Sequence, residues 1–290
     1  MRGLVSASRP GFTFVEMLLT LILGLVLMAG AYGVLIRQDR AYSELRAATA
    51  TQQDSRTGID LLTGELREIS SAGGDLVMAT RDSIRFRALR KFGTVCQTDN
   101  SNKKMMVVQT GIEPFAAGDS IAVYVDRDTL MAEDDLWQQE VVNTVSTSTA
   151  CTTTLGAALA SLLPGSPLIE LRFTGIALKY DSIYPGAPIR SYEVLTYRAA
   201  DWNGDWLLVR DHVESGSRVT VPLLGPIADP RGFVLRYFDG TGTELTAFPL
   251  SAADRAAVRR IQVWILAERP AGHAGDHGDG LLTDIHLRGN

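Results

Sequence analysis

The 290-residue chain has only two cysteines, Cys96 and Cys151, and four histidines. No CxxC pair and no Cys/His spacing of a zinc site occurs, which sets aside the small metal-stapled classes. A basic excess is also missing: 28 Lys and Arg stand against 33 Asp and Glu, mixed along the chain, for a net charge of −5. Without a basic stripe to neutralise phosphates, direct nucleic-acid binding is not expected. Neither a Gly-x-Ser-x-Gly elbow nor an HExxH pair appears, so the residues give no support for an enzyme, and no cofactor is expected. Proline is absent from residue 12 to residue 71, so no ring interrupts a helix there. No internal repeat is found.

What is present begins at the N-terminus. The stretch RPGFTFVEMLLTLILGLVLMAGAYGVLI carries an apolar run of about 25 residues, 12–36. As a helix it would span about 37 Å, enough to cross a bilayer with some tilt. Arg2 and Arg9 ahead of the run favour a cytoplasmic N-terminus and an exported body. Arg37 and Arg40 behind it oppose that orientation, diluted by Asp39. A cleavable secretory signal is a second reading, with Ala29-Gly30-Ala31 as the site and Tyr32 near the mature start. The run is too long for a signal core and continues past that site. Neither reading accounts for Glu16. An acid at the centre of a membrane helix costs roughly 2.5–3.5 kcal/mol, less near an end. Snorkelling to the headgroups is the plain explanation.

A third reading uses the whole context. Pro10-Gly11-Phe12-Thr13-Phe14-Val15-Glu16-Met17-Leu18-Leu19 closely resembles the processing site of type IV pilins and type II secretion pseudopilins. The resemblance implies cleavage by a prepilin peptidase between Gly11 and Phe12, methylation of the new Phe12 amine, and Glu16 as the fifth residue of the mature chain. It also implies partners: other minor and major pilins, an inner-membrane assembly platform, and membrane lipid before assembly. Physics supports the pairing of the two groups. A lone buried carboxylate is expensive, whereas breaking a buried ion pair typically costs about 3–5 kcal/mol. Glu16 is then a registry device that docks a subunit where its charge meets the Phe12 ammonium.

Helical periodicity continues beyond the run. Ile59, Leu62, Leu66 and Ile69 form one apolar stripe, with Arg56, Asp60, Glu65 and Arg67 on other faces. One helix is predicted from residue 12 to about residue 71, stopped by Gly73-Gly74. Gly24, Gly30, Gly33, Gly58 and Gly64 weaken it locally, and those in the apolar half would admit close helix–helix approach. From Asp75 onward the pattern is of strands, over residues 83–89, 120–125, 168–180, 190–198, 206–213, 232–238, 258–267 and 281–287. Asn203-Gly204 and Asp239-Gly240 mark tight turns, and residues 146–154 read as a Thr/Ser-rich loop or edge. The expected fold is α+β: a long pilin-like helix, half transmembrane and half amphipathic, packed on an antiparallel β-sheet head. The expected organisation is a leader over 1–11, a membrane or filament-core half over 12–36, an amphipathic half over 37–74 and a periplasmic head over 75–290.

The head adds to the resemblance. Residues 65–74, 223–227, 233–240, 260–265 and 281–290 are similar to PilW-like minor pilins and J-type minor pseudopilins, while residues 93–166 hardly match. This implies a non-catalytic minor pilin of a type IV pilus, at or near the tip, single-pass in the inner membrane with its head in the periplasm before assembly. Such a pilus serves adhesion, motility or DNA uptake. The alternatives are a J-type pseudopilin of type II secretion and a Sec-exported soluble binding protein or hydrolase. Outside the cytoplasm, Cys96 and Cys151 could form a disulfide across a long loop. His273, Asp276, His277 and Asp279 could ligate a divalent ion, although a flexible, solvated Gly-rich connector between two strands is the expected reading. Asp201-Trp202-Asn203-Gly204-Asp205 resembles a calcium loop but lacks the distal Glu, so a hairpin turn is expected, with Trp202 and Trp206 flanking it.

Overall fold

An unbroken run of helix formers without proline winds α1, Phe14–Arg67, in the computed structural model. The structure describes residues 13–127, 135–148, 150–175, 180–214, 217–228, 230–266 and 280–288. Two compact units emerge, residues 1–53 and 54–290. The described part of the first is α1 alone. The second opens with the end of α1 and continues through β1 (Leu76–Ala79), β2 (Ser83–Asp99), β3 (Lys104–Gln109), β4 (Ser120–Val125) and β5 (Leu136–Thr147). Then come α2 (Thr154–Leu162), β6 (Leu168–Phe173), β7 (Pro188–Trp202), β8 (Asp205–Glu214) and β9 (Ser217–Leu224). β10 (Phe233–Phe238), β11 (Glu244–Leu245), α3 (Ala252–Ala257), β12 (Arg260–Leu266) and β13 (Gly280–His286) complete it. Every strand pairing is antiparallel, so the fold is α+β with an antiparallel head.

Helix α1 ends at Arg67, earlier than the glycines alone suggest. The Asp75 carboxylate accepts the Ser70 N–H at 2.9 Å and the Ser70 hydroxyl accepts the Gly73 N–H at 3.0 Å. These side chains offer the backbone an alternative to helix bonds, which stops the helix. Gly74 closes the turn with φ +78°, where glycine carries no steric penalty. The predicted stripe is buried: Ile59 is 8% exposed, and Leu62, Leu66 and Ile69 are 0%.

Among the described residues the head holds two large, separate apolar cores and a small third one around the disulfide. The first lies between the end of α1, the sheet β1-β2-β7-β8-β9 and the four-stranded sheet β11-β10-β12-β13, and contains Leu62, Leu66, Phe86, Tyr197, Phe233 and Ile261. The second fills a ring. β2 pairs with β3, β3 with β6, β6 with β5, β5 with β4, β4 with β7, and β7 returns to β2, a closed six-stranded barrel. Its interior holds Val95, Val107, Ile121, Val123, Leu171 and Ile189, among others. Gly93 stands at the closure, opposite Gln109 on one side and Ile189 on the other. β2 and β7 run through both halves of the head. Register shifts at Leu89/Lys91 and Val95/Gln97 mark irregularities where β2 passes from open sheet to ring, the kind of local kink that re-aims a strand.

The paired turns predicted at Asn203-Gly204 and Asp239-Gly240 differ. Asn203 (φ 59°) and Gly204 (φ 97°) join β7 to β8 with the two positive φ angles of a type I′ hairpin. Asp239 instead heads a longer loop, its Oδ1 accepting the N–H groups of Thr241 and Thr243. On β8, buried Asp211 accepts from Arg198 at 2.8 Å, from Thr220 at 2.6 Å and from Arg218, which ties β7, β8 and β9 together. Burial alone would raise this carboxyl, but those three donors outweigh it and hold the pKa at about 2.

Two outcomes follow from this architecture. A Cβ on Gly93 would lie 2.6 Å from Val107 Cγ1 and 3.1 Å from the Val108 carbonyl. Gly93→Val should therefore lower stability by about 1–3 kcal/mol in denaturant unfolding, and a neutral result would mean that the ring is not closed there. Because the folded pKa of Asp211 lies below its ordinary 3.8, its stabilisation is complete above about pH 4 and fades as pH falls toward 2. The stability gap between wild type and Asp211→Asn should shrink by about 1–2 kcal/mol between pH 5 and pH 2.

Candidate functional site

Gly11 and Phe12, the residues flanking the expected cleavage, lie outside the described residues. The described chain starts at Thr13, and its geometry shows how the first turn of α1 is made. The Glu16 N–H donates to Thr13 Oγ1 at 3.4 Å and the Met17 N–H donates to the Thr13 carbonyl at 3.2 Å. Thr13 is thus the N-cap, and Glu16 sits three residues on, the Thr-x-x-Glu spacing of a capping box. The same Thr-x-x-Glu spacing is a local helix-start signal legible in the sequence. The Glu16 carboxylate stands in the first turn of the helix. There the positive end of the helix dipole and unpaired N–H groups favour an anion by about 0.3–1 kcal/mol. The acid therefore has a local reason to be tolerated, in addition to any amine it meets.

Behind Glu16 the helix is bare on every side. Phe14–Ser43 is long and apolar enough to cross a membrane, and 0% of its most apolar window is buried within the chain. Phe14 is 79% exposed and even Leu18, the least exposed of its large apolar residues up to Leu35, is 47%. A helix apolar around its whole circumference is stable only against lipid or other apolar helices. Cβ atoms added at Gly24, Gly30 or Gly33 would meet nothing within 4 Å, so no contact inside the chain requires these glycines. Gly58 differs: a Cβ there would sit 2.3 Å from Leu224 Cδ2, so the helix approaches β9 through the missing side chain.

The far end of α1 is fixed to the head by one carboxylate. Glu65 Oε1 lies 3.1 Å from Arg90 Nη2 and 3.6 Å from Arg210 Nη1, and Glu65 Oε2 accepts the Tyr197 hydroxyl. Arg90 also holds Glu193 of β7 at 3.1 Å. Burial, and then the Glu65 charge, push the Tyr197 phenol well above its ordinary range, so it remains a donor at any physiological pH. Glu65 lies off the apolar stripe, as its position in the sequence implies, and is paired at the rim of that stripe.

The remaining candidates fall in different places. Cys96 of β2 and Cys151 before α2 are disulfide-bonded, Cα atoms 6.1 Å apart. The Asp201–Asp205 segment is the β7–β8 hairpin, where Asp201 Oδ1 accepts the Gly204 N–H at 2.9 Å. Trp206 packs against the first core, while Trp202 is 40% exposed. His273, Asp276, His277 and Asp279 lie outside the described residues. Among the described residues, no group of three or more His, Cys, Asp or Glu is placed to hold a metal ion.

The Glu65 anchor generates a direct test. Glu65→Gln should destabilise the head by about 2–3 kcal/mol, below the range for a fully buried pair because both arginines are partly exposed. Urea unfolding measures it, and a loss no larger than that of an exposed surface substitution would show that the apolar stripe alone holds the helix.

No curated protein and no solved structure matches the chain. One family model does, over residues 7–32: the prokaryotic N-terminal methylation motif. That match covers the last five residues of the expected leader, the expected cleavage point, the capped first turn and α1 as far as Tyr32. The chain carries the signature of type IV pilins and pseudopilins at its N-terminus.

Proposed function

We propose that this chain is a minor pilin: a non-catalytic structural and priming subunit of a type IV pilus, placed at or near the tip. What supports the reading is the bare, capped helix Phe14–Ser43 beneath a methylation motif, joined in one chain to a large head. The subunit is made as a precursor in the inner membrane with its head in the periplasm, where the Cys96–Cys151 bond suits an oxidising compartment. Prepilin peptidase removes residues 1–11 and Phe12 is methylated. The assembly platform then moves the helix from lipid into a bundle of other pilin helices. Lipid tails are as apolar as leucine, so this exchange has little net hydrophobic cost and leaves packing and polar contacts to decide the register. Glu16 supplies the polar contact by pairing with a Phe12 ammonium of its own or an adjacent subunit.

Mass spectrometry of the mature N-terminus is the primary test, with N-methyl-Phe12 as the expected result. A mature chain beginning near Tyr32 would replace this reading with an exported soluble protein. Gly11→Val should block processing. Glu16→Val should leave cleavage largely intact yet sharply reduce recovery in sheared filaments; wild-type incorporation of that variant would remove the registry role.

A further inference from the structure

We propose that residues 94–188 are an inserted, separately folding module, and that everything the subunit needs for processing and incorporation lies outside it. The second clause rests on the pilin reading; the first does not. The chain leaves the helix-bearing half of the head along β2 and returns along β7 at positions that face each other. Gly93 pairs with Ile189 and Thr94 with Pro188. Between those points the chain builds β3, β4, β5, β6 and the far end of β2, and Ile189–Tyr192 of β7 close the ring by pairing with β4. The ring's core shares no residue with the core beneath α1. Apart from the short β4–β7 seam, Ser120–Val123 against Ile189–Tyr192, these strands complete their hydrogen bonding within the ring.

The module also has its own covalent staple. Cys151 joins Cys96 on β2 and thereby pins the start of α2 to the outside of the barrel. Met106 and Val108 of β3 lie beneath that bond, with Leu159 and Leu163 packed against them. Gly156 presses α2 so close that an added Cβ would sit 2.2 Å from the Cys96 carbonyl. The 55-residue separation of the two cysteines falls wholly within the inserted stretch. The module meets the rest along the β4–β7 seam, at the Gly93–Gln109 pair and through a few side chains. Arg190 bonds Asp75 at 3.1 Å and stacks 4.0 Å over Trp137, and Lys91 bonds Asp119 at 2.7 Å. The parent half keeps β1, the start of β2, the end of β7, β8, β9 and the four-stranded sheet without it. The stretch without family resemblance, residues 93–166, falls within this module except for Gly93.

Two measurements test the inference. In full-length protein held in detergent micelles, Cys96→Ala/Cys151→Ala should lower hydrogen-exchange protection in β3–β6 by about 30- to 1,000-fold. Protection in residues 59–66, β10 and β12 should change less than about threefold, because separate cooperative units open separately. Protection falling together in both halves overturns the separate folding. In the second measurement, residues 94–188 of the full chain are replaced by Asn-Gly, which suits a two-residue hairpin between Gly93 and Ile189. The shortened chain should unfold cooperatively, carry methyl-Phe12 and enter filaments with wild-type recovery. A misfolded or unprocessed product, beside a processed wild type, overturns the proposal. If the wild type itself is not processed, the pilin reading fails, and the hydrogen-exchange result still decides the module.

Discussion

Water cannot solvate the first half of α1. From Phe14 to Leu35 the helix presents apolar side chains in every direction, and every large one of them is exposed. Each large aliphatic residue left in water forfeits roughly 1.5–3 kcal/mol relative to burial, and the segment carries many of them. Lipid or a bundle of like helices is therefore required, and the rest of the molecule is arranged around that requirement. Thr13 caps the helix at its start, Glu16 puts a charge at the one place where the helix dipole welcomes it, and the opposite end is fastened to a folded head.

That fastening combines two interactions of different character. Leu62, Leu66 and Ile69 supply burial, which is strong but does not discriminate among rotations of the helix. Glu65 supplies direction, because a carboxylate hydrogen-bonded by Arg90 and the Tyr197 hydroxyl and flanked by the Arg210 charge has few alternative positions. Gly58 adds a steric condition by letting β9 approach the helix closely.

The head divides its chemistry between two cores that meet only along β2 and β7 and through contacts such as Asp75–Arg190. Asp75 stands at this meeting point. It stops the helix by accepting the Ser70 N–H and bonds Arg190, which rests on Trp137 of the barrel. Burial pushes its carboxyl up, against the pull of Ser70 and Arg190, so the residue is positioned for structure at a cost in desolvation. Helix end, parent sheet and barrel are thus linked through one side chain.

The sequence by itself determined whatever depends on neighbours along the chain. A bilayer-length apolar run, the helical stripe, the strands with period-two alternation and the Asn203-Gly204 hairpin all rest on local sterics and periodicity. Glu16 and the Gly11-Phe12 context were legible for the same reason, as one contiguous motif. Tertiary structure alone decided the barrel. β3 is buried on nearly every residue, because α2 covers its outside and the core its inside, so it shows no alternation to detect. β5 is mostly polar and runs to Thr147 in a stretch that reads as a loop, and α2 begins at Thr154 where no helix was expected. Whether Cys96 would reach Cys151, whether Glu65 would find Arg90, Arg210 and Tyr197, and whether β2 would pair on both edges are matters of closing long loops. Their outcome depends on the summed packing of distant residues, and no local pattern encodes that sum.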